Sequence, residues 1–403
     1  MELADKEACS GCGACAYVCP KQCISFETDA TYGISYPVID GSRCINCGKC
    51  RTYCPVLNQP ESSEPAQAYA AWSSDAEERR TSASGGIAAE IYRYAIANGW
   101  MIVGAAFGNG FEVKLKLADS VEAIKEFKNS KYVFSSTNGV FKDIDEKLKA
   151  GRKIAIIALP CQIAAFKKVF HKYIDNLLLV DLVCHGTTPP QYLEQYVRCM
   201  EAKYGKNVGS ITFRDPEIGT QKFALSLYDT NGKRFYSNNA VGTNDAYQYG
   251  YHSMVAYREN CYHCHYARRE RISDITLSDY KGLGNMAPCS FSEEKVSSVL
   301  LNSEKGEKIV ESLIAAGQIK AEVRPVEEPI SGDKQLQHPS NKTYARYLFE
   351  KTYIKLGDFI PVMRDVYKKD QLRRKVLWGY HLPRRIVNKL KRVLHIPFSP
   401  RKV

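Results

Sequence analysis

A chain of 403 residues with 44% hydrophobic and 25% charged residues has the composition of a folded globular protein, which excludes a disordered or fibrous class. It contains no run of about 18 apolar residues, and Met1–Asp5 lacks the basic and then apolar start of a secretion signal. We therefore expect a cytoplasmic protein. The net charge of +12 is uneven, because residues 341–403 hold 17 Lys or Arg against four Asp or Glu.

Two cysteine runs of identical spacing open the chain, and the second repeats the first 35 residues later. Each reads Cys-x-x-Cys-x-x-Cys-x-x-x-Cys-Pro, at Cys9, Cys12, Cys15 and Cys19 and at Cys44, Cys47, Cys50 and Cys54. In runs of this kind the fourth cysteine binds the cluster of the other run. The spacing therefore predicts one 4Fe-4S cluster on Cys9, Cys12, Cys15 and Cys54, and a second on Cys44, Cys47, Cys50 and Cys19.

Two structural zinc sites are the alternative for these thiols. Zinc sites normally separate their Cys-x-x-Cys pairs by loops longer than two residues, which favours clusters here. Soft thiolates suit iron-sulfur clusters, and the glycines beside the ligands let the backbone turn tightly. Cys23 follows the first run, and we predict a small buried residue rather than a ligand.

A second domain is predicted after a linker at residues 58–66, which are polar and contain two prolines. Ser84-Gly85-Gly86 precedes a helical pattern that ends at Asn98, and residues 100–107 and 111–117 have the patterns of strands. This alternation of helix and strand begins near Tyr69 and indicates an α/β domain.

Two further cysteines follow continuous apolar runs at residues 153–159 and 176–183, which are typical of buried parallel strands. Cys161 comes just after the first run and Cys184 just after the second. Ligands of open α/β sheets gather at the carboxyl ends of strands, so we expect these two thiols to face one site.

A Cys-x-x-Cys at Cys261 and Cys264 is by itself ambiguous among a zinc site, a redox pair and half of a cluster site. Together with Cys161 and Cys184 it makes four thiolates, enough for a third 4Fe-4S cluster. The alternative is that Cys161 and Cys184 are unrelated core cysteines.

Six landmarks in chain order resemble those of the coenzyme F420 hydrogenase/dehydrogenase beta-subunit family, over roughly residues 69–330. They are Ser84-Gly85-Gly86-Ile87, the segment from Ser130 to Ser135, Pro160-Cys161-Gln162, Cys184-His185-Gly186, Cys261-x-x-Cys264, and the segment from Ser273 to Asp279. The resemblance implies an FAD-containing domain with its own 4Fe-4S cluster on Cys161, Cys184, Cys261 and Cys264. The family usually has Gly-Asp before an aromatic residue, whereas Ser278 precedes Asp279 here.

The flavin contacts implied by the resemblance lie in four of these landmarks, at Ser84, Gly85, Gly86, Lys131, Tyr132, Ser135, Gln162 and Asp279. A Ser-Gly-Gly at a helix start also offers free N–H groups and a positive dipole end to a pyrophosphate. The alternatives are a simple helix cap for the glycines, an ordinary surface pair for Lys131 and Tyr132, and a turn residue for Asp279.

The basic tail, residues 336–403, is predicted to be helical. Ile386, Leu390, Val393 and Leu394 fall on one face of the helix that they share, and the opposite face is basic. Such a helix can lie on the anionic inner face of a membrane. The alternatives are a solvated basic face or docking on the protein's own body, and nucleic-acid binding lacks a recognisable module.

These patterns predict an α+β ferredoxin-like two-cluster module at residues 1–60, a larger α/β flavin and iron-sulfur domain at 66–335, and the basic helical tail. Clusters carry single electrons and a flavin also carries pairs, so the two cofactors together indicate an oxidoreductase. We expect electrons from a ferredoxin-type donor to reach FAD and then a substrate, and similar bacterial proteins accompany surface-polysaccharide synthesis. The alternative is a non-catalytic electron-transfer subunit that feeds a partner enzyme.

Overall fold

The computed structural model describes residues 3–29, 32–239, 245–291 and 295–393. Its N-terminal module, residues 3–60, contains two short helices and one antiparallel hairpin. The elements are α1 (Ala14–Tyr17), β1 (Ile24–Thr28), β2 (Ser35–Ile39) and α2 (Lys49–Thr52), with Ile24 opposite Ile39 in the hairpin.

The two halves of the module repeat one local conformation. Gly13 precedes α1 with φ of 80°, and Gly48 precedes α2 with φ of 74°. Both values lie in the left-handed region that favours glycine. The cysteine duplication of the sequence is therefore also a duplication of backbone structure.

A mixed eight-stranded sheet forms the centre of the body. Its strands are β3 (Gln67–Ser73), β4 (Met101–Phe107), β5 (Val113–Ala118), β6 (Ile154–Ala158), β7 (Leu177–Leu182), β11 (Ile275–Asp279), β12 (Ser297–Leu301) and β13 (Ile319–Arg324). Their spatial order is β13-β3-β12-β11-β7-β6-β4-β5. The four central strands β11, β7, β6 and β4 run parallel, and the outer pairs are antiparallel.

Helices cover both faces of this sheet because its central strands are apolar on both sides. They are α3 (Ala76–Thr81), α4 (Ile87–Ala97), α5 (Ala123–Phe127), α6 (Val140–Lys149), α7 (Pro160–Val169), α10 (Glu304–Ala315) and α11 (Glu327–Gly332). Apolar residues of α4 and α10 build the core on one face, and those of α6 and α7 build the core on the other. The N-terminal module packs on the α6 and α7 side, where Cys12 and Ala14 join the core.

A third core lies beside the sheet and is rich in tyrosine and phenylalanine. It is formed by α8 (Pro190–Tyr204), a small antiparallel sheet of β8 (Val208–Thr212), β9 (Leu225–Asp229) and β10 (Arg234–Asn238), and the helices α9 (Ala246–His252), α12 (Tyr344–Leu356) and α13 (Phe359–Val393). Residues of α12 and the first part of α13, such as Phe349 and Val362, are fully buried there.

The N-terminal part of the predicted tail is thus part of the folded body rather than an appendage. The predicted amphipathic face falls outside the side chains that the structure describes, and its last member, Leu394, outside the described residues altogether. Among the described helices, none is both long and apolar enough to cross a membrane.

The main predictions of secondary structure are confirmed. The helix after Gly86 runs from Ile87 to Ala97, and the two buried runs become the adjacent parallel strands β6 and β7. The predicted linker has little regular structure but lies against the body, where Ser63 forms a bridge with Arg271. A mixed α/β body behind a small cysteine module is therefore the observed architecture.

Candidate functional site

The first group of cysteines contains Cys9, Cys12, Cys15 and Cys54. Burial raises the pKa of the first three thiols, for Cys12 to about 12, and the nearby Cys54 raises all three further. Cys54 belongs to the second run, so the structure brings together the set that the crossing pattern predicts.

The second group contains Cys19, Cys44, Cys47 and Cys50, which line one small surface cavity together with Cys23. Proximity to Cys44 and Cys47 raises the pKa of the Cys50 thiol, after burial as the largest cause. Cys23 is 5% exposed, and its sulfur lies 3.4 Å from that of Cys19. Cys23 is therefore buried as predicted and also touches the group.

The third group contains Cys161, Cys184, Cys261 and Cys264, which come from three separate segments. Cys161 lies in the first turn of α7, Cys184 follows β7, and Cys261 lies in a 3-10 turn at Glu259–His263. Burial raises the pKa of Cys161 well above its usual range, and the other three thiols raise it further. The two strand-end cysteines and the Cys-x-x-Cys therefore meet in one place.

Buried thiols of this kind remain protonated at neutral pH unless a metal displaces the protons. Burial also raises the pKa of Cys264, to about 11. Among the described residues, no three His, Cys, Asp or Glu side chains are close enough together to hold a single metal ion. That finding concerns single ions, whereas a four-iron cluster holds its thiolates farther apart. The donor chemistry of all three groups fits clusters.

Tyr266 lies between the first group and the third. Its phenol is close to Cys12 and Cys54 on one side and to Cys161 and Cys264 on the other. Its hydroxyl donates a hydrogen bond to the carbonyl oxygen of Pro55 at 2.9 Å. Cys12 and Tyr266 belong to one apolar core, against which Cys161 and Cys264 pack. The two groups are thus joined through protein interior.

Arg258 forms a second connection between the same two groups. It is 3% exposed, its Nη1 donates to the carbonyl oxygen of Ser10 at 2.8 Å, and its guanidinium lies 3.9 Å from the ring centre of Phe134. Its charge acts on both Cys9 and Cys161. In the part of the chain that the structure describes, no carboxylate lies within salt-bridge distance of it. A buried cation of this kind needs a nearby anion, which a thiolate-bound cluster provides.

The close approach of Arg258 also explains a glycine. Gly11 has φ of 64°, and a Cβ atom there would lie 2.7 Å from Nη2 of Arg258. Sequence analysis did not find Arg258, because an isolated arginine between a tyrosine and a glutamate has no distinguishing pattern.

A cavity of about 480 Å³ opens beside the third group, and Cys184 forms part of its wall. Seven of the eight predicted flavin contacts line it, namely Ser84, Gly86, Lys131, Tyr132, Ser135, Gln162 and Asp279. Gly85 does not, because it is packed against β3, where a Cβ atom would collide with the carbonyl oxygen of Ala71. The volume is in the range of ordinary cofactor and ligand sites.

Gln162 and Ser135 fix one side of the cavity. The Gln162 side chain donates to the Ser135 carbonyl oxygen at 2.7 Å and accepts from the Leu159 N–H at 3.2 Å. This second bond caps the start of α7. Gln162 therefore ties the helix that carries Cys161 to the loop that carries Lys131 and Tyr132.

Arg214 and Asp279 form an ion pair on the opposite side. Two guanidinium nitrogens of Arg214 lie 3.1 and 2.5 Å from the Asp279 carboxylate, and Nε donates to the Tyr132 hydroxyl at 2.8 Å. Arg214 is 7% exposed. Sequence analysis missed it, because the residue follows β8 in a segment without any motif.

Two basic side chains in the cavity lack a carboxylate partner among the described residues. Burial lowers the pKa of Lys131 to about 8, and its Nζ donates to the Lys128 carbonyl oxygen at 3.0 Å. Burial, followed by the charges of Arg214 and His185, lowers the pKa of His252 to about 4. The buried Nε2 of His252 has no hydrogen-bond partner. Such groups fit a bound ligand with hydrogen-bonding atoms and negative charge.

Duplicated cysteine groups linked through protein interior to a further thiol group and a ligand cavity define an iron-sulfur electron-transfer protein. Comparison with protein families supports this class. A 4Fe-4S dicluster domain matches residues 8–58, and the C terminus of the coenzyme F420 hydrogenase/dehydrogenase beta subunit matches residues 151–327. The chain belongs to the coenzyme F420 hydrogenase/dehydrogenase beta-subunit family and carries a 4Fe-4S dicluster domain at its N-terminal end.

Individual relatives are distant. The F(420)H(2) dehydrogenase of Methanosarcina mazei has a component, its F subunit, that is 22% identical over 197 residues, 45% of this chain and 55% of that one. The match thus spans about half the length of that relative. A ferredoxin-like protein in the nif region of Rhizobium leguminosarum bv. trifolii is 39% identical over 56 residues, 12% of this chain and 78% of that protein.

Among solved structures, a similar chain occurs in the xenon-derivatised F420-reducing NiFe hydrogenase complex from Methanosarcina barkeri, at 18% identity and a TM-score of 0.42. The match covers 78% of this chain and 94% of that one.

Proposed function

We propose that this chain is an electron-transfer subunit that holds three 4Fe-4S clusters and an FAD. The observation that carries the proposal is the continuity of the four sites. Cys15 of the first group and Cys19 of the second contact one apolar cluster, Tyr266 lies between the first and third groups, and Cys184 of the third is part of the cavity wall. Four redox sites in contact order are the arrangement that an electron-transfer chain requires.

The clusters would supply one-electron transfer, and a flavin would convert single electrons to pairs. The residues of the chain have complementary tasks. The apolar core around Cys12 and Tyr266 excludes water between the first and third groups. Lys131 would place a positive charge next to a bound anionic cofactor, because an anion in the cavity stabilises its protonated form. The Arg214–Asp279 pair holds Tyr132 in position.

A non-catalytic subunit is supported better than an enzyme with its own substrate. The M. mazei relative is itself described as a dehydrogenase subunit. The cavity is already lined by the residues that the family resemblance assigns to the flavin, so the same walls would be covered by the cofactor.

One observation favours the oxidoreductase with its own substrate as a second candidate. Lys281 and His185 line the cavity, with Lys281 Nζ 3.0 Å from His185 Nε2 and 3.1 Å from the buried Asp333 carboxylate. Both side chains are more than one third exposed, so a small anion could reach them. The role in surface-polysaccharide synthesis and the membrane contact of the tail stay predictions.

The test is anaerobic purification followed by iron, sulfide and flavin counts on the whole chain. We expect about 12 iron per chain, from three four-iron clusters. A Cys161→Ser and Cys184→Ser double variant should fall to about eight, whereas a Cys199→Ser variant, the matched control in α8, should keep all of them. A count of eight that is the same in all three proteins would contradict the third cluster, and the absence of bound flavin after reconstitution would contradict the cavity assignment.

A further inference from the structure

The second cysteine group is the one that reaches the surface. Cys47 is exposed, whereas Cys12 in the first group is buried and Cys161 and Cys184 are deeply enclosed. In contact order it is also farthest from the cavity. An external electron donor or acceptor would therefore meet the chain at this group.

Exposed cations and one apolar residue surround the second group. Lys21, Ile45 and Lys49 line its surface cavity, and the Arg43 guanidinium donates to the Lys21 carbonyl oxygen at 2.9 Å. All four side chains are exposed, Ile45 by 57%. We call these four residues the basic rim.

The cations of the rim are not neutralised by neighbours. In the described ranges, none of its three cations has a carboxylate within salt-bridge distance. Asp40 lies beside the rim, but its carboxylate accepts hydrogen bonds from the N–H and hydroxyl of Ser42. Residues 3–60 carry five Lys or Arg and five Asp or Glu, so the module has no net charge. Its positive charge is concentrated at the one cysteine group that faces solvent.

We infer that the basic rim docks an acidic one-electron carrier protein, with Ile45 at the centre of the contact. The inference rests on the proposed function and adds the site and charge of the partner. Complementary charge accelerates encounter with one class of partner, whereas a small apolar centre allows rapid release. Weak redox encounters use small interfaces of this kind.

The experiment measures how fast a dithionite-reduced acidic plant-type ferredoxin reduces the cluster-loaded protein in stopped flow. For the wild type, the second-order rate constant should fall steeply as salt is added, because salt screens attraction between opposite charges. A rate that is flat or rises with salt would overturn the inference without any variant.

Charge reversal locates the surface. A Lys21→Glu and Lys49→Glu double variant should lower the rate constant at low salt by roughly tenfold to a hundredfold and flatten its salt dependence. The matched control is Lys233→Glu with Lys308→Glu, which makes the same change in net charge at exposed positions on other elements. An equal loss in the control would overturn the inference, because net charge rather than the rim would then explain it.

Two further measurements separate other causes. Reduction by the methyl viologen radical cation should be as fast or faster in the rim variant, because this small reductant is positively charged. If the rim variant loses iron, an Arg43→Glu and Ile45→Asp variant replaces it, since neither residue directly follows a ligand of the first run. If reversal abolishes binding to anionic phosphatidylserine vesicles and leaves ferredoxin reduction unchanged, the rim is a membrane surface and the inference is wrong. Failure of the proposed function appears elsewhere, in iron and flavin counts.

Discussion

The cysteines of the module and those of the body are positioned by different means. In the module, two short runs and two left-handed glycines place eight thiols within 46 residues, with a single small hairpin as support. In the body, four thiols come from segments spread over more than 100 residues of the chain and meet only because β6 and β7 are adjacent in the sheet. The first arrangement depends on local sequence, and the second depends on the whole fold.

This difference has a consequence for stability. The module's thiol groups need only their own turns and a metal, as in other small domains whose folding energy comes from metal binding. The third group needs the sheet to be intact before its ligands meet. Damage to the sheet should therefore remove iron from the body first and leave the module loaded.

The largest effect is expected from Asp181→Asn. Asp181 and Arg271 form a fully buried ion pair with 2.5 Å between Oδ2 and Nη2, and Nη1 of Arg271 also holds the Tyr266 carbonyl oxygen at 2.9 Å. Loss of one partner from such a pair costs roughly 3–5 kcal/mol. Denaturant unfolding should show that loss, and iron should fall by about four per chain, from the third group alone.

Asp145→Asn is the control for this variant. Its partner Lys149 is 63% exposed, so the pair contributes less than about 1 kcal/mol. If Asp181→Asn instead releases iron equally from module and body, the two regions do not differ in the way described above.

A change in potential is expected from Arg258→Met. The buried guanidinium lies near Cys9 and Cys161, and reduction adds negative charge to a cluster. Removal of the cation should lower the midpoint potentials of the first and third clusters by about 60 mV, which corresponds to about 1.4 kcal/mol for one electron. Redox titration followed by electron paramagnetic resonance measures this, with the exposed Arg198→Met as control. Unchanged potentials at full iron content would contradict the role of Arg258 as a counter-ion.

A smaller, pH-dependent effect is expected from Lys131. Burial lowers its pKa to about 8, so the ammonium is present below pH 8 and is lost as pH rises through that value. A bound anion raises this pKa, so binding takes up a proton above pH 8 and weakens there. FAD affinity, measured by fluorescence quenching, should fall with rising pH above 8 in the wild type. Lys131→Met should bind roughly fivefold more weakly at pH 7 and show no such pH dependence, while exposed Lys125→Met should resemble the wild type.

The same two regions show how much the sequence could predict. The spacing of the module cysteines was sufficient for the crossing of Cys54 to the first group, because all the geometry lies in adjacent turns. For the body, strand-end positions predicted that Cys161 and Cys184 face one site, because parallel strands end at one edge. Neighbouring strands thus extend local inference by one step.

The residues that sequence could not provide are single charges from distant segments. Arg214, Arg258 and His252 reach the site from the end of β8, from a loop and from the end of α9. Their roles depend on burial and on the lack or presence of an ionic partner, which no spacing encodes. Gly85 shows the converse, since a glycine next to a cofactor motif serves packing against β3 instead.

The smallest effect is expected from Cys23→Ala, which tests whether contact with a cysteine group implies ligation. Cys23 lies 3.4 Å from the Cys19 sulfur and is buried beside Ile24 and Cys50. Because the crossing pattern already gives the second group four thiols, Cys23→Ala should keep all module iron and cost about 1 kcal/mol of packing. Cys19→Ala should behave differently, by lowering the stability of the second cluster to oxygen. Loss of iron in Cys23→Ala at unchanged fold would mean that the local rule fails in the module, where it should be most secure.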